Sequence, residues 1–245
     1  MVVPLFCIMN KKKPNLEEYL ANHYIHKSNW LRAAVLGAND GILSTASIAI
    51  GVATASTSRE TLILATLAGL IAGTLSMAAG EYVSVSSQTD IEQADIERER
   101  QELEEMPEEE LQLLTSIYEK RGLKRKTAEL VAKELTEHDA LGAHVRDELG
   151  LNSISKANPI QAALSSGIAF IAGGALPLIV ILFIPLKKVE FSLYVSSIFF
   201  LILLGTVAAK TGGSNVFKAI VRISFWGTIA MGLTAWVGYL FKITI

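Results

Sequence analysis

The residues of this chain best able to do chemistry are the carboxylates of an acidic segment, 90–110, in which about half of the residues are Asp or Glu. Four of them recur at spacings of three and four: Glu92, Asp95, Glu99 and Glu102. This spacing places them on one face of a helix, where like charges repel unless a cation or a basic partner compensates. Only Arg98 and Arg100 are near. The pattern favours a metal-binding face, and the alternative is an ordinary solvated face of a charged helix.

Further metal ligands follow this face along the chain. Glu105, Glu109 and Glu110 flank a turn at Pro107 and could close a metal site from the next helix. Beyond them, three residues at i, i+3 and i+4 offer one imidazole and two carboxylates: His144, Asp147 and Glu148. Any metal site of this chain must be built from oxygen, imidazole or thioether ligands, because Cys7 is its only cysteine.

A second group of ligands lies inside apolar sequence. Asp40 is near the middle of one apolar stretch, and Met77 and Glu81 are one turn apart on the next. A carboxylate in mid-bilayer costs ~2.5–3.5 kcal/mol, so it needs a partner or a water-filled cavity. A thioether beside carboxylates favours transition metals such as Fe²⁺. A buried carboxylate can also exchange a proton for a metal ion, which is the physical basis of proton-coupled antiport.

These ligands must be positioned by membrane helices, because a bilayer-crossing helix needs ~20 mostly apolar residues. Five stretches qualify: Leu31–Ala53, Thr61–Val85, Pro159–Phe183, Phe191–Ala209 and Val216–Phe241. The first two are rich in small residues, which favours close helix packing, whereas the last three carry more Leu, Ile and Phe and are predicted to face lipid. Antiparallel packing of the first two would bring Asp40, Met77 and Glu81 together.

The segment between the second and third spans is predicted to be a small three-helix unit. The second span continues without Gly or Pro to Glu105, Pro107 begins the next helix, and Gly122 ends it. A third helix is expected from about Lys126 to Leu149, with Gly150 as its C-terminal cap. The buried faces are predicted from apolar spacing: Leu111, Leu114, Ile117 and Tyr118, then Leu130, Val131, Leu135 and Leu141.

The fold class predicted is therefore an all-α membrane protein with five transmembrane helices and a cytoplasmic three-helix insert. The expected domains are an N-terminal cytoplasmic segment 1–30, spans one and two in 31–86, a metal-binding insert 87–157, and spans three to five in 158–245. Basic residues are concentrated before the first span and around the link between the fourth and fifth, whereas Lys187 and Lys188 between the third and fourth count against this side. The balance puts the N-terminus and the insert in the cytoplasm.

Composition excludes several other functions. Cys7 is the sole cysteine, so a thiolate zinc site and a redox pair are excluded. No basic patch with interleaved aromatic residues indicates nucleic-acid binding. The insert lacks the Glu-x-x-His pair of di-iron helix bundles, and no nucleophile–base arrangement is present, which disfavours an enzyme. No prosthetic group is expected.

Several motifs together resemble the vacuolar iron transporter family from about residue 23 onwards. They are Gly-Ala-Asn-Asp-Gly at 37–41, Ser-Met-Ala-Ala-Gly-Glu-Tyr-Val-Ser-Val-Ser-Ser-Gln at 76–88, His-Asp-Ala-Leu at 138–141, Asp-Glu-Leu-Gly-Leu at 147–151 and Asn-Pro at 158–159. The pattern around Glu81 is more similar to bacterial and nodulin-like members, and the insert argues against the nodulin-like branch. The chain thus resembles a bacterial-type member with a cytoplasmic metal-binding domain.

The resemblance implies a five-span homodimer that exchanges Fe²⁺, or Mn²⁺, from the cytosol for protons along a path at the dimer interface. It implies that Asp40 and Met77 lie in that path and that Glu99, Glu102 and Glu148 bind metal in the insert. His144 stands where plant members have methionine, and Ala33 where some have an acid. The membrane would be the plasma membrane in a bacterium and the vacuolar membrane in a eukaryote.

Two other functions are alternatives to a transporter. A membrane-anchored iron sensor or buffer would use the insert alone, but it has no need of Asp40, Met77 and Glu81 in the spans. A membrane-bound iron enzyme is disfavoured by the missing Glu-x-x-His pair.

Overall fold

This computed structural model describes residues 28–55, 58–151 and 158–244, which form helices without a strand among them. The seven helices are α1 Ser28–Ala55, α2 Arg59–Glu105, α3 Pro107–Lys120, α4 Arg125–Asp147, α5 Pro159–Phe183, α6 Leu186–Thr211 and α7 Val216–Thr244. The predicted N-terminal segment 1–30 lies almost entirely outside the described residues. The all-α fold class is confirmed.

Five of these helices are long and apolar enough to cross a membrane: α1, α2, α5, α6 and α7. The five predicted spans and the place of the insert, between the second and third, are therefore confirmed. The helices extend beyond several predicted ends; α6 begins at Leu186 instead of Phe191, because Lys187 and Lys188 belong to its first turn.

The centre of the membrane part is the pair α1 and α5, which pack closely through glycines. A Cβ atom added to Gly37 would collide with the backbone of Ser166, and one added to Gly41 would collide with the backbone of Phe170. Gly173 of α5 approaches the backbone of Ala38 in the same way. Without a hydrophobic drive in lipid, such close backbone contact is what holds two membrane helices together.

The prediction that span three faces lipid is wrong. In the most apolar stretch of α5, 39% of the residues are buried, the same share as in α1, whereas α7 buries 11%. The small residues Gly167, Gly173 and Gly174 explain this, since all three lie on the buried side of α5. Span two is less buried than predicted, with 17% of its most apolar stretch inside the single chain.

An arginine joins α2 to the end of α5 on the side of the membrane opposite the insert. Arg59 donates to the carbonyls of Ile181, Leu182 and Ile184 at 2.7–3.0 Å. These are carbonyls at the C-terminus of α5, where several have no partner within the helix and where a cation is favoured by the helix dipole. Arg59, the first residue of α2, therefore caps the C-terminus of α5.

The insert consists of the C-terminal part of α2 with α3 and α4, and its helices begin and end within one or two residues of the predicted positions. Gly122 and Gly150 follow α3 and α4 with φ of 101° and 69°, a conformation that residues with a side chain rarely adopt. Its core contains Leu114, Ala132 and Ala143. Leu130, predicted to be buried, is 58% exposed, and Ala128 and Ala132 face the core instead.

Candidate metal site

The site in the insert depends on a break in α4 that the sequence pattern did not predict. Asp139 has φ −161° and ψ 86°, so the helix stops there and restarts. The Asp139 carboxylate accepts a hydrogen bond from the Gly142 amide at 3.0 Å. This is the N-cap arrangement, in which a side-chain oxygen satisfies an amide three residues on. Because of this break, the part of α4 that carries His144 is a separate helical segment with its own axis.

His144 faces three carboxylates from three parts of the chain. Its Nδ1 lies 2.9 Å from Glu99 Oε1 of α2, 3.6 Å from Glu110 Oε2 of α3 and 3.0 Å from Glu148 Oε2 just after α4. Glu99, Glu110 and His144 are buried, and Glu148 is partly exposed. All four ligand atoms lie within 4.8 Å of one another. We call these four residues the insert cluster.

The insert cluster concentrates three carboxylates around one imidazole, an arrangement that favours a bound cation. The cluster lies outside the bilayer, because α2 has 47 residues and is ~70 Å long, whereas only ~30 Å is needed to cross the hydrocarbon core. Burial raises the pKa of Glu99, and the charge of Glu148 raises it further, whereas His144 lowers it. Burial likewise raises the pKa of Glu110, again against the effect of His144. Both carboxylates therefore hold protons more readily than exposed ones.

The hydrogen bonding of the insert cluster is also incomplete. The Nδ1 atom of His144 is hydrogen-bonded to Glu148. Glu99 Oε1 and Glu110 Oε2 are buried and have no hydrogen-bond partner in the described part of the chain. Since one Nδ1 proton can serve one acceptor, a divalent cation is the group that would satisfy all these oxygens at once.

The spacing of the ligand atoms fits such an ion. Ligands bound at ~2.1 Å and at right angles around one ion lie ~3 Å apart, and the distances from Nδ1 are close to that value. One nitrogen and three carboxylate oxygens form a ligand set that Fe²⁺ and Mn²⁺ accept, and the imidazole disfavours Mg²⁺ and Ca²⁺. Both the types of ligand atoms in the cluster and their spacing thus suit a divalent transition metal ion.

Asp147, considered above as a further ligand, is held elsewhere. It accepts hydrogen bonds from Tyr118 at 2.7 Å and from Arg121 at 2.5 Å, and from Arg146 at 3.0 Å. Burial alone would raise the pKa of Asp147, but these hydrogen bonds lower it to about 2. Asp147 ties α4 to α3, so it fixes the position of the neighbouring Glu148.

The other predicted ligands of the insert stay outside the cluster. Glu102 is 37% exposed and lies 3.9 Å from Arg98, yet it is close enough to raise the pKa of Glu99 and Glu110 by repulsion. Glu105 and Glu109 are exposed. The end of α2 at Met106 turns the chain so that Glu110, one turn into α3, points inward instead.

The structure brings the three membrane ligands to one groove between α1 and α2. The groove has a volume of about 650 Å³, and Asp40, Met77 and Glu81 all line it. Its walls include Gly69 and Gly73, on which Ile48 and Phe170 pack closely, and Gly80, where a Cβ atom would meet open space. Ser44 and Ser76 add hydroxyl groups, although Ser44 donates to the Asp40 carbonyl at 2.6 Å. The convergence predicted from antiparallel packing is therefore present.

One helix connects the groove to the insert cluster. Glu81 and Glu99 are both on α2, which is unbroken from Arg59 to Glu105. They are 18 residues apart, which corresponds to ~27 Å and five full turns of an α-helix. The two carboxylates consequently point to the same side of this helix, one in the membrane and one above it.

Comparison with known proteins places the chain in a family. A model of the VIT family matches residues 31–239. The chain is 44% identical over 221 residues to a protein of Acanthamoeba castellanii named Vacuolar iron transporter, covering 88% of the chain and 82% of that protein. It is 33% identical over 225 residues to Vacuolar iron transporter homolog 2.1 of Arabidopsis thaliana, covering 91% and 86%. It is 36% identical over 213 residues to Vacuolar iron transporter homolog 1 of Oryza sativa subsp. japonica, covering 86% and 74%. The chain belongs to the VIT family.

Proposed function

We propose that this protein carries Fe²⁺ across a membrane, out of the cytosol and in exchange for protons, with Mn²⁺ as a second cargo. The observation that carries this proposal is the insert cluster, a buried imidazole facing three carboxylates, of which Glu99 and Glu110 have buried oxygens without a hydrogen-bond partner among the described residues. The relatives named as iron transporters support iron as the cargo. Membership of their family makes the protein a transporter and not an enzyme.

The insert captures the metal before it enters the membrane. Glu99, Glu110, His144 and Glu148 would bind it, and Glu102, Glu105 and Glu109 would attract it through their charge at the edge of the cluster. Because α2 runs on into the membrane, an ion released from Glu99 moves along this helix towards Glu81 and Met77.

The path through the membrane is the groove that Asp40, Met77 and Glu81 line. In a single chain this groove opens sideways, since Leu36 and Ile48, which line it, are 48% and 37% exposed. A second copy of the chain, packed on this open side, would close the groove. We therefore infer a homodimer with the path at its interface.

Proton exchange follows from the same ligands. Each carboxylate of the path and of the insert cluster can bind either a proton or the metal ion. Metal binding at the cytosolic side releases protons, and protons from the other side displace the metal. This exchange accounts for transport without a further energy source.

We place the N-terminus and the insert in the cytoplasm, from the distribution of basic residues, and the protein in a vacuolar membrane, from the names of its relatives. The bacterial-type assignment, and the plasma-membrane location that would accompany it, stay predictions.

The test is anaerobic uptake of Fe²⁺ into proteoliposomes with an imposed pH gradient. We expect gradient-dependent uptake by the wild type and its loss in Asp40→Asn, because the amide can neither carry the proton nor neutralise the ion. Glu190→Gln is the matched control, since Glu190 is an exposed acid on α6 outside the groove; it should transport like the wild type.

Two results would contradict the proposal. Uptake by Asp40→Asn at the wild-type rate would remove the groove from the path. Absence of uptake by folded wild-type protein that still binds Fe²⁺ would instead support the alternative of a membrane-anchored iron sensor or buffer.

A further inference from the structure

The first turns of α7 present a groove of about 330 Å³ that is separate from the metal path. Two neighbouring rows at i, i+4 spacing line it: Phe217, Val221 and Phe225 in one row, and Lys218, Arg222 and Trp226 in the other. One row is apolar, and the other has two cations followed by an indole. We call this groove, lined by the two rows, the α7 groove.

The charges of the α7 groove have no counter-ion in this part of the molecule. Residues 191–245 include Lys210, Lys218, Arg222 and Lys242 and not a single Asp or Glu. Among the described residues, the ion pairs that form do not involve Lys218 or Arg222, and both side chains are exposed. Two cations at the end of a membrane helix, without an ion-pair partner among the described residues, are available to an anion from outside the chain.

The position of the groove along α7 matches the membrane boundary. Arg222 and Lys242 are 20 residues apart, which corresponds to ~30 Å of helix and equals the thickness of the hydrocarbon core. Lys218 is one turn further out than Arg222, at the level of the lipid headgroups, and Trp226 is one turn further in, where indoles concentrate in membrane proteins. Phe225 and Trp226 contact edge to face, with ring centroids 5.5 Å apart.

The topology fixes the side of the membrane. The insert lies between α2 and α5, and α5, α6 and α7 then cross in alternating directions, so α7 begins on the same side as the insert. This side receives the exposed ends of α6 and α7, where Lys210 adds a third positive charge.

We propose that the α7 groove binds one anionic glycerophospholipid, with its phosphate between Lys218 and Arg222 and an acyl chain along Phe217, Val221 and Phe225. The chemistry of the two rows corresponds to the two parts of such a lipid. The basic row meets the phosphate at the depth of the headgroups, and the apolar row continues into the hydrocarbon. A zwitterionic lipid would bring the positive group of its own headgroup close to the two cations, so the groove selects for net negative lipids.

Tryptophan fluorescence tests this proposal in the full-length protein. Trp30→Phe with Trp236→Phe leaves Trp226 as the sole tryptophan. The protein is placed in phosphatidylcholine vesicles that contain one part in five of phosphatidylglycerol, with bromine on the acyl chains of one lipid at a time. We expect the quenching of Trp226 to show that phosphatidylglycerol binds with a preference of roughly 25-fold over phosphatidylcholine, because each of the two basic side chains near an anionic headgroup contributes about fivefold.

Substitutions then locate the binding. Lys218→Gln with Arg222→Gln should reduce the preference to near one, and Arg222→Gln alone should reduce it several-fold. The matched control is Lys187→Gln with Lys188→Gln, which removes two cations at the start of α6 on the opposite side of the membrane; the preference should survive. Protease access to the insert verifies that each variant has the same orientation in the vesicle.

Three results would overturn the proposal. Equal quenching by the two brominated lipids would mean that the groove does not select a headgroup. An unchanged preference in the double glutamine variant would place the lipid elsewhere. Displacement of the quencher by millimolar inorganic phosphate would identify a site for a free anion instead of a lipid.

Discussion

The break in α4 leads to a prediction about a residue that touches no ligand. In Gly142→Ala the new Cβ would lie 2.7 Å from Cγ of Asp139 and closer still to Oδ2, so the Asp139 carboxylate must leave its capping position. The hydrogen bond from the Gly142 amide, 3.0 Å long, is then lost. The helix is free to continue straight through Asp139, which would move His144 away from Glu99 and Glu110.

The expected changes in stability and metal affinity differ in size. Loss of an N-cap costs ~0.5–2 kcal/mol, but replacing glycine with alanine in a helix contributes up to ~1 kcal/mol in the opposite direction. The free energy of unfolding should therefore change by no more than about 1 kcal/mol. Misplacing a metal ligand by loss of a supporting contact typically costs 10–100-fold in affinity, so metal binding should suffer much more than folding.

The assay combines anaerobic Fe²⁺ titration with urea unfolding followed by circular dichroism. Asp139→Ala, which removes the cap without adding a methyl group near it, should weaken Fe²⁺ binding in the same way. Gly232→Ala is the control, because a Cβ at Gly232 of α7 would meet open space. Wild-type Fe²⁺ affinity in folded Gly142→Ala would refute the reasoning, since it would show that His144 does not depend on the break.

Three further predictions follow from the electrostatics and the helix ends. Asp147→Asn should lower the free energy of unfolding by roughly 2 kcal/mol at neutral pH, because the folded-state pKa of Asp147 is about 2 against an ordinary 3.8. This stabilisation is present above pH ~4 and disappears as pH falls towards 2. Urea unfolding should therefore show a difference between wild type and variant that is smaller at pH 2.5 than at pH 7, and a constant difference would contradict this. Fe²⁺ affinity should fall between pH 7.5 and 4.5, because protons compete at Glu99 and Glu110, whose pKa values are raised by burial above the ordinary 4.5. Equal affinity at the two pH values would argue against metal binding by these carboxylates. Arg59→Gln should lower the free energy of unfolding of the purified protein by at least about 2 kcal/mol, because three carbonyls near the end of α5 lose a charged donor. Its melting temperature should therefore fall, whereas that of Lys188→Gln should not. Equal melting temperatures of the two variants would rule out a capping role for Arg59.

Much of the insert could be predicted because its boundaries depend on local chemistry. Pro107 begins α3, and Gly122 and Gly150 adopt the positive φ that ends α3 and α4. These residues act over one turn, so the sequence specifies them without knowledge of the tertiary structure. The convergence of Asp40, Met77 and Glu81 was also predictable, because a short link forces α1 and α2 to be antiparallel.

The members of the metal cluster were harder to select from a chain so rich in glutamate. Glu102, Glu105 and Glu109 differ from Glu99 and Glu110 in where they face, and this depends on the angles between α2, α3 and α4. Those angles are set by packing around Leu114 and by the break at Asp139. The signal for the break was present as an Asp three residues before a Gly, but an N-cap inside an apolar helical pattern does not stand out.

The burial of α5 could not be read from composition for a related reason. Its Leu and Ile content is that of a lipid-facing helix, while the residues that decide its place, Gly167, Gly173 and Gly174, are few. Close packing in a membrane depends on where small residues line up, not on how many there are.

The unbroken α2 limits which insertions and deletions this protein can accept between the membrane groove and the insert cluster. Each residue added to or removed from the helix between Glu81 and Glu99 would rotate the insert by ~100° about the helix axis relative to the membrane groove. A single deletion would therefore point the insert cluster away from the groove, whereas seven residues, close to two turns, would nearly restore the angle and shift the cluster by ~10 Å. Because one continuous helix fixes the orientation of the insert cluster relative to the membrane groove, we expect this stretch to tolerate insertions and deletions only as near-whole turns.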